Sequence, residues 1–154
     1  MSSMAVIRDF LAQKRIAVVG VSHDPKDFSR GLLRMLRERG YDAVAVNPEL
    51  SSADESPCYA SLTDISPKVD GVLVMTSPAA TDQIVQECAK LRIPRVWLYR
   101  AGGKGAVSPQ AVEFCEEHGI AVVPGECPYM FLNESGWFHR LHGFFKKISG
   151  AYPA

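Results

Sequence analysis

What this 154-residue chain lacks narrows its function before any motif is considered. It has no surplus of charge: 17 Lys and Arg stand against 17 Asp and Glu, a formal net charge of zero. A polybasic nucleic-acid binder needs a basic surplus and an acidic disordered chain the opposite, so both classes are excluded. No apolar run approaches the roughly eighteen residues of a spanning helix; the longest runs have strand length, such as residues 16–19. The start, Met1-Ser2-Ser3-Met4, leads into Arg8, Asp9, Lys14 and Arg15 without an apolar stretch, so no secretory signal is expected. Cysteine is scarce. Cys58, Cys88, Cys115 and Cys127 form no CxxC pair, which argues against a structural zinc site. Free thiols in a reducing cytoplasm are the expectation.

The neutral total conceals unequal parts. Residues 1–40 carry eight basic and four acidic side chains, and residues 92–112 carry four basic and none acidic. Local positive charge of this kind suits one small anionic ligand.

Apolar residues make up 47% and charged residues 22%, which fits one globular domain. The pattern alternates strands and helices. Residues 5–13 predict a leading helix and 16–20 a buried strand ending at Gly20. Residues 29–39 predict a helix stopped by Gly40, and 41–46 a second strand closed by Asn47-Pro48. Residues 50–67, rich in Ser, Asp and Pro, read as irregular with a turn of helix near Leu62. Strands follow at 69–75, 95–99 and 120–123. Between them lie helices at 79–91, with Ser77 as N-cap and Pro78 in the first turn, and from Ser108-Pro109 to His118. Residues 135–148 predict a last amphipathic helix carrying Trp137, Phe138, Leu141, Phe144, Phe145 and Ile148. The expectation is an α/β fold: a Rossmann-like, doubly wound parallel sheet of about five strands. Residues 1–134 form the domain, and 135–154 a helical extension packed on it or at a dimer interface.

Ligands of such sheets sit beyond the strands' carboxyl ends, at the switch point. The loop at residues 20–30 is the first candidate. Gly20 permits close approach, and the helix start offers N–H groups to a phosphate. A plain connection with Ser29 as N-cap fits equally. The GxGxxG fingerprint is missing, because the next glycine after Gly20 is Gly31, and Asn47-Pro48 stands where a dinucleotide site has an acid. Gly102-Gly103-Lys104-Gly105 lacks the GxxxxGK[ST] spacing and reads as a loop, with Arg100 before it as a cation able to face the ligand.

The ordered set Gly20-Val21-Ser22, Pro25, Ser29, Leu36, Gly40-Tyr41, Val46-Asn47-Pro48, Cys58-Tyr59-Ala60-Ser61-Leu62, Val69-Asp70 and Val96-Trp97-Leu98 resembles the small stand-alone CoA-binding domain proteins. That family is similar to the N-terminal CoA-binding domain of the succinyl-CoA synthetase alpha subunit. The resemblance runs from about Lys14 to Pro128. It implies that Gly20, Val21, Ser22, Ser29 and Arg30 hold the CoA phosphates and that Asn47 and Pro48 approach the adenosine. Thr76, Ser77 and Pro78 would line the ligand, with Cys127-Pro128 toward the pantetheine end. Synthetase-like members often place a lysine just beyond the second strand. Here Glu49 and residues 51–55 stand instead, leaving Arg30 or Arg34 as the cation for a 3′-phosphate. The ligase and phospho-histidine parts of the synthetase have no counterpart in this sequence.

Among reactive side chains, Cys127 reads either as a small residue in a tight Cys-Pro turn or as a thiol able to pair with that of CoA. Cys88 and Cys115 read as core; Cys58 has no assigned role. His139 and His142 share metal-ligand spacing, but no third ligand lies near, so a solvated helix face or a dimer contact is expected and no metal. His23 lies in the candidate loop, and His118 at a helix C-terminus. No triad or carboxylate pair stands out. The sequence therefore points to a cytoplasmic protein that binds coenzyme A or an acyl-CoA through phosphate-binding loops, without catalysis of its own. Neither nucleic acid nor membrane is an expected partner, and the last helix offers a homodimer surface. Two alternatives stay open: a nicotinamide-dependent oxidoreductase or CoA-linked transferase using Cys127, and a regulatory or interaction module docking through the last helix.

Overall fold

The computed structural model describes residues 3–54, 56–100 and 105–131. The predicted helix at 135–148, with His139, His142 and the boundary at residue 134, lies outside them, as do Gly102, Gly103 and Lys104.

The chain order is α1 (Met4–Leu11), β1 (Arg15–Val19), α2 (Phe28–Glu38), β2 (Asp42–Val46), β3 (Ser52–Ala53), β4 (Ser56–Tyr59), a 3-10 turn (Leu62–Asp64), β5 (Gly71–Val74), α3 (Pro78–Lys90), β6 (Arg95–Leu98), α4 (Pro109–Glu117) and β7 (Ala121–Pro124). They build one seven-stranded sheet in the order β3-β4-β2-β1-β5-β6-β7. Every pairing is parallel except that of β3 with β4. The five strands expected from the sequence form its body. The other two, β3 and β4, come from the segment expected to be irregular. They are short, β4 carries Pro57, and they owe their extended form to pairing, β4 with β2 and β3 with β4, rather than to local preference.

Strands buried on both faces read as continuous apolar runs, and the alternation of their side chains divides the core in two. Val19, Val44, Val46, Val72, Val74, Val96 and Leu98 face α3 and α4, with Val85, Cys88, Ala111 and Cys115. Ile16, Val18, Ala45, Leu73, Trp97 and Val123 face α1 and α2, with Ile7, Phe10, Leu32, Leu33 and Leu36. Trp97 is fully buried, edge-to-face with Phe10 at 5.3 Å.

Three helices stop by the same device. After α2, Gly40 takes φ +94° while the Tyr41 amide donates to the Leu36 carbonyl and the Gly40 amide to that of Arg37. After α4, Gly119 at φ +70° closes onto Cys115 and Glu116 in the same way. After α3 the left-handed position is held by Arg92, at φ 59°, with Ile93 reaching Cys88. No helix among the described residues is long and apolar enough to cross a membrane.

Candidate functional site

The parallel strands end on a common edge, and backbone hydrogen bonds lace the following loops together. The Gly20 amide donates to the Val46 carbonyl (3.1 Å), Met75 to Val19 (2.8 Å), Tyr99 to Val74 (3.0 Å) and Gly125 to Leu98 (3.0 Å). The chain winds outward from β1 through β2 to β4 and β3, then returns to β5 on the other side, so the switch point lies between β1 and β5. Gly20 stands there at φ +98°. A Cβ on it would lie 3.0 Å from both the carbonyl carbon and the oxygen of Met75, so glycine is what lets the two strand ends close up.

From Gly20 the chain enters a loop braced from within. Val21 is fully buried, and its carbonyl accepts a 2.7 Å hydrogen bond from Asn47 Nδ2. The Ser22 amide donates to Ser29 Oγ at 2.9 Å, and that hydroxyl donates to Asp27 Oδ2 at 2.6 Å. Asp27, not Ser29, is the N-cap of α2, accepting the Ser29 amide at 2.9 Å. The hydroxyl and amide of Ser29 hold the Asp27 carboxyl below its usual range. Its negative charge already occupies the end of α2 that would attract a phosphate. Ser29 instead joins the two ends of the loop. His23 is exposed within it.

Arg30 is only 5% exposed. Its Nη1 donates to the Ser22 and His23 carbonyls at 3.2 and 3.4 Å, and its Nη2 to Asp54 Oδ1 at 3.0 Å. Nε, also buried, has no hydrogen-bond partner among the described residues. Arg34 meets the same Asp54 at 3.3 Å and the Pro25 carbonyl at 3.2 Å. Both arginines considered for a 3′-phosphate are thus bound to Asp54. Burial pushes the Asp54 carboxyl up, but hydrogen bonding and charge from Arg30 and Arg34 outweigh it and leave the group below its usual range.

At the end of β2, Asn47 accepts the Glu49 amide on Oδ1 at 2.7 Å, and Pro48 is exposed beside it. Across the switch point, Ser77 caps α3 with a neutral side chain and Pro78 follows in the first turn. Thr76 Oγ1 lies 3.1 Å from Thr81 Oγ1, tying this loop to the helix. Farther along, Arg100 is exposed, its amide donating to the Glu126 carbonyl at 3.1 Å, and its guanidinium runs alongside Gly125. Trp97 Nε1 reaches that same carbonyl, also at 3.1 Å. Cys127 and Pro128 are buried in the turn that follows.

Three aromatic side chains escaped the sequence reading. Phe28, the first residue of α2, packs on Tyr99 at 5.5 Å and on Tyr129 at 5.2 Å. Burial pushes both tyrosine hydroxyls up, and the neighbouring Cys127 adds to the shift, so both stay neutral at physiological pH. No periodic pattern marks these residues, since each sits at the junction of a loop with a different element. Asp27 and Asp54 were missed as well. An Asp two positions before Ser29 is a legible capping signal, whereas Asp54 at φ 53° draws its role from the turn between β3 and β4.

Comparison with known proteins adds a family to this geometry. The chain is 29% identical over 126 residues to an uncharacterized protein of Bacillus subtilis, YneT, covering 81% of this chain and 90% of that one. It is 26% identical over 127 residues to an ADP-forming acetate–CoA ligase of Archaeoglobus fulgidus, covering 79% of this chain but 18% of the ligase. A hypothetical protein from Pyrococcus horikoshii superposes with a TM-score of 0.78 at 25% identity, over 87% of this chain and 92% of that one. Residues 14–133 match the CoA binding domain, so this chain belongs to the CoA-binding domain family.

Proposed function

We propose that the chain binds coenzyme A or an acyl-CoA at the strand C-terminal edge and catalyses no reaction of its own. The observation that carries this reading is the coincidence of family membership with a glycine-built switch point. In it the diphosphate lies between residues 20–23 and the first turn of α3, against Thr76, Ser77 and Pro78. Because Asp27 fills the end of α2, the neutral cap of α3 is the better helix terminus for an anion. Ser29 and Arg30 hold the shape of the first loop. Asn47 and Pro48 flank the adenosine, and Arg100, Cys127 and Pro128 the opposite arm. A cytoplasmic location and self-association through the C-terminal segment belong to the same reading. Coenzyme A is favoured over a nicotinamide dinucleotide because the end of β2 offers the Asn47 amide, already paired on both atoms, in place of a ribose-binding carboxylate.

A thermal-shift panel of CoA, acetyl-CoA, NADH, NADPH and ATP tests the reading. CoA and acetyl-CoA at millimolar concentration are expected to raise the melting temperature, as any ligand selective for the native state does. A shift with NADH and none with CoA overturns it.

A further inference from the structure

Among the described residues, two large apolar side chains are left exposed: Phe28 at 45% and Met130 at 67%. Both lie on the candidate edge, on the flank formed by the ends of β6 and β7. Scattered exposed apolar residues need no explanation, but Phe28 packs against a tilted ring and an edge-on ring beside a proposed ligand site. Phe28 packs at 64° to Tyr129 and at 41° to Tyr99, so two rings from other elements support its position. The opposite flank, at the end of β2, differs. There Pro48 and Glu49 are exposed and offer a carboxylate and backbone groups, the Asn47 side chain being paired within the loop, and neither large exposed apolar residue lies there.

The two flanks match the two ends of one ligand. An acyl-CoA carries a base, a ribose and phosphates at one end and an acyl chain on a thioester at the other. With the diphosphate at the switch point, the base needs hydrogen-bonding groups on one side and the acyl chain needs apolar surface on the other. We infer that the exposed ring of Phe28, backed by Tyr99 and Tyr129, is the subsite for the acyl group of a CoA thioester and selects an apolar chain over free CoA. This rests on the CoA reading above and adds the class of thioester.

The test is a calorimetric titration of the full chain with free CoA, acetyl-CoA and hexanoyl-CoA. Each methylene buried on the ring is worth about fourfold in affinity, so hexanoyl-CoA is expected to bind at least about tenfold tighter than CoA. In Phe28→Ala that ratio is expected to fall toward one, while Phe28→Leu, which restores apolar surface, recovers most of it. Equal affinity of the wild type for CoA and hexanoyl-CoA overturns the acyl subsite and leaves CoA binding standing. A ratio unchanged in Phe28→Ala also overturns it. So does a Phe28→Ala variant that remains folded by circular dichroism yet binds neither ligand, because the ring then lies under the nucleotide. Failure of the wild type to bind any of the three overturns the CoA reading and the subsite together.

Discussion

Ser29 Oγ accepts the amide proton of Ser22 at 2.9 Å, closing the loop that leaves β1 onto the helix that follows it. The same hydroxyl reaches Asp27, so a single side chain joins the strand end, the cap and the first turn of α2. Replacing it with alanine leaves the part-buried Ser22 amide without its acceptor. Ser29→Ala is expected to lose about 1–2 kcal/mol of stability, read as a denaturant midpoint shift at constant m. Affinity for CoA is expected to fall as well, by more than a conservative Ser29→Thr change produces. Unaltered stability would show that the loop is held by other contacts.

Asp27 offers a sharper electrostatic test. Asparagine also caps helices but gives up the charge that the Ser29 hydroxyl and amide stabilise, so Asp27→Asn is expected to lower the melting temperature only slightly. It removes a negative charge from the neighbourhood of the proposed phosphates. CoA affinity is expected to rise about two- to fivefold at low ionic strength and to show less gain at high salt. Weaker binding would place the phosphates elsewhere.

Much of this arrangement is legible in the sequence, and the remainder is not for definite reasons. Four of the five expected strands, β1, β2, β5 and β6, announce themselves because burial on both faces forces unbroken apolar runs such as Ile16 to Val19, whereas β7 lies at the end of the sheet and is half-buried. Gly40 and Gly119 mark helix ends because the left-handed position there favours glycine. Arg92 holds the same conformation after α3 without that mark, and β3 and β4 exist only through pairing. At the site, the positions of Gly20, Asn47 and Ser77 followed from strand ends. The role of Arg30 did not: whether a basic residue faces a ligand or its own loop depends on Asp54, twenty-four residues away.

The Asp54 carboxylate gives that buried arginine its counter-charge. Asp54→Asn is expected to cost about 1–2 kcal/mol at neutral pH, discounted for the partial exposure of the pair. The folded-state pKa lies below the ordinary value, so the contribution is complete above the unfolded Asp pKa of about 3.9 and is lost as pH falls through the folded value. The melting-temperature gap between wild type and variant should therefore be widest near neutrality and close in acid. A gap independent of pH would contradict the charge assignment.

Gly20 is expected to tolerate no side chain. Gly20→Ala combines a positive φ with contacts to the Met75 backbone, for a loss of about 2 kcal/mol or more in thermal or chemical unfolding. An alanine variant as stable as the wild type would show that the β1 and β5 ends have slack.

The thiols are separable by their surroundings. Cys88 and Cys115 are fully buried, and burial pushes both upward, Cys115 to about 12. Since the thiolate is the reactive form, iodoacetamide is expected to leave both unmodified in the native chain and to label them after unfolding. Native-state labelling of either, read by peptide mass spectrometry, would contradict the core assignment.

Amide hydrogen exchange with and without saturating CoA tests the central claim most directly. Slowed exchange is expected in residues 20–30, 47–50 and 76–81, the loops at the edge where β1, β2 and β5 end, with the strand bodies unchanged. No protection by CoA, or protection confined to other segments, would contradict the assignment of this edge as the CoA site.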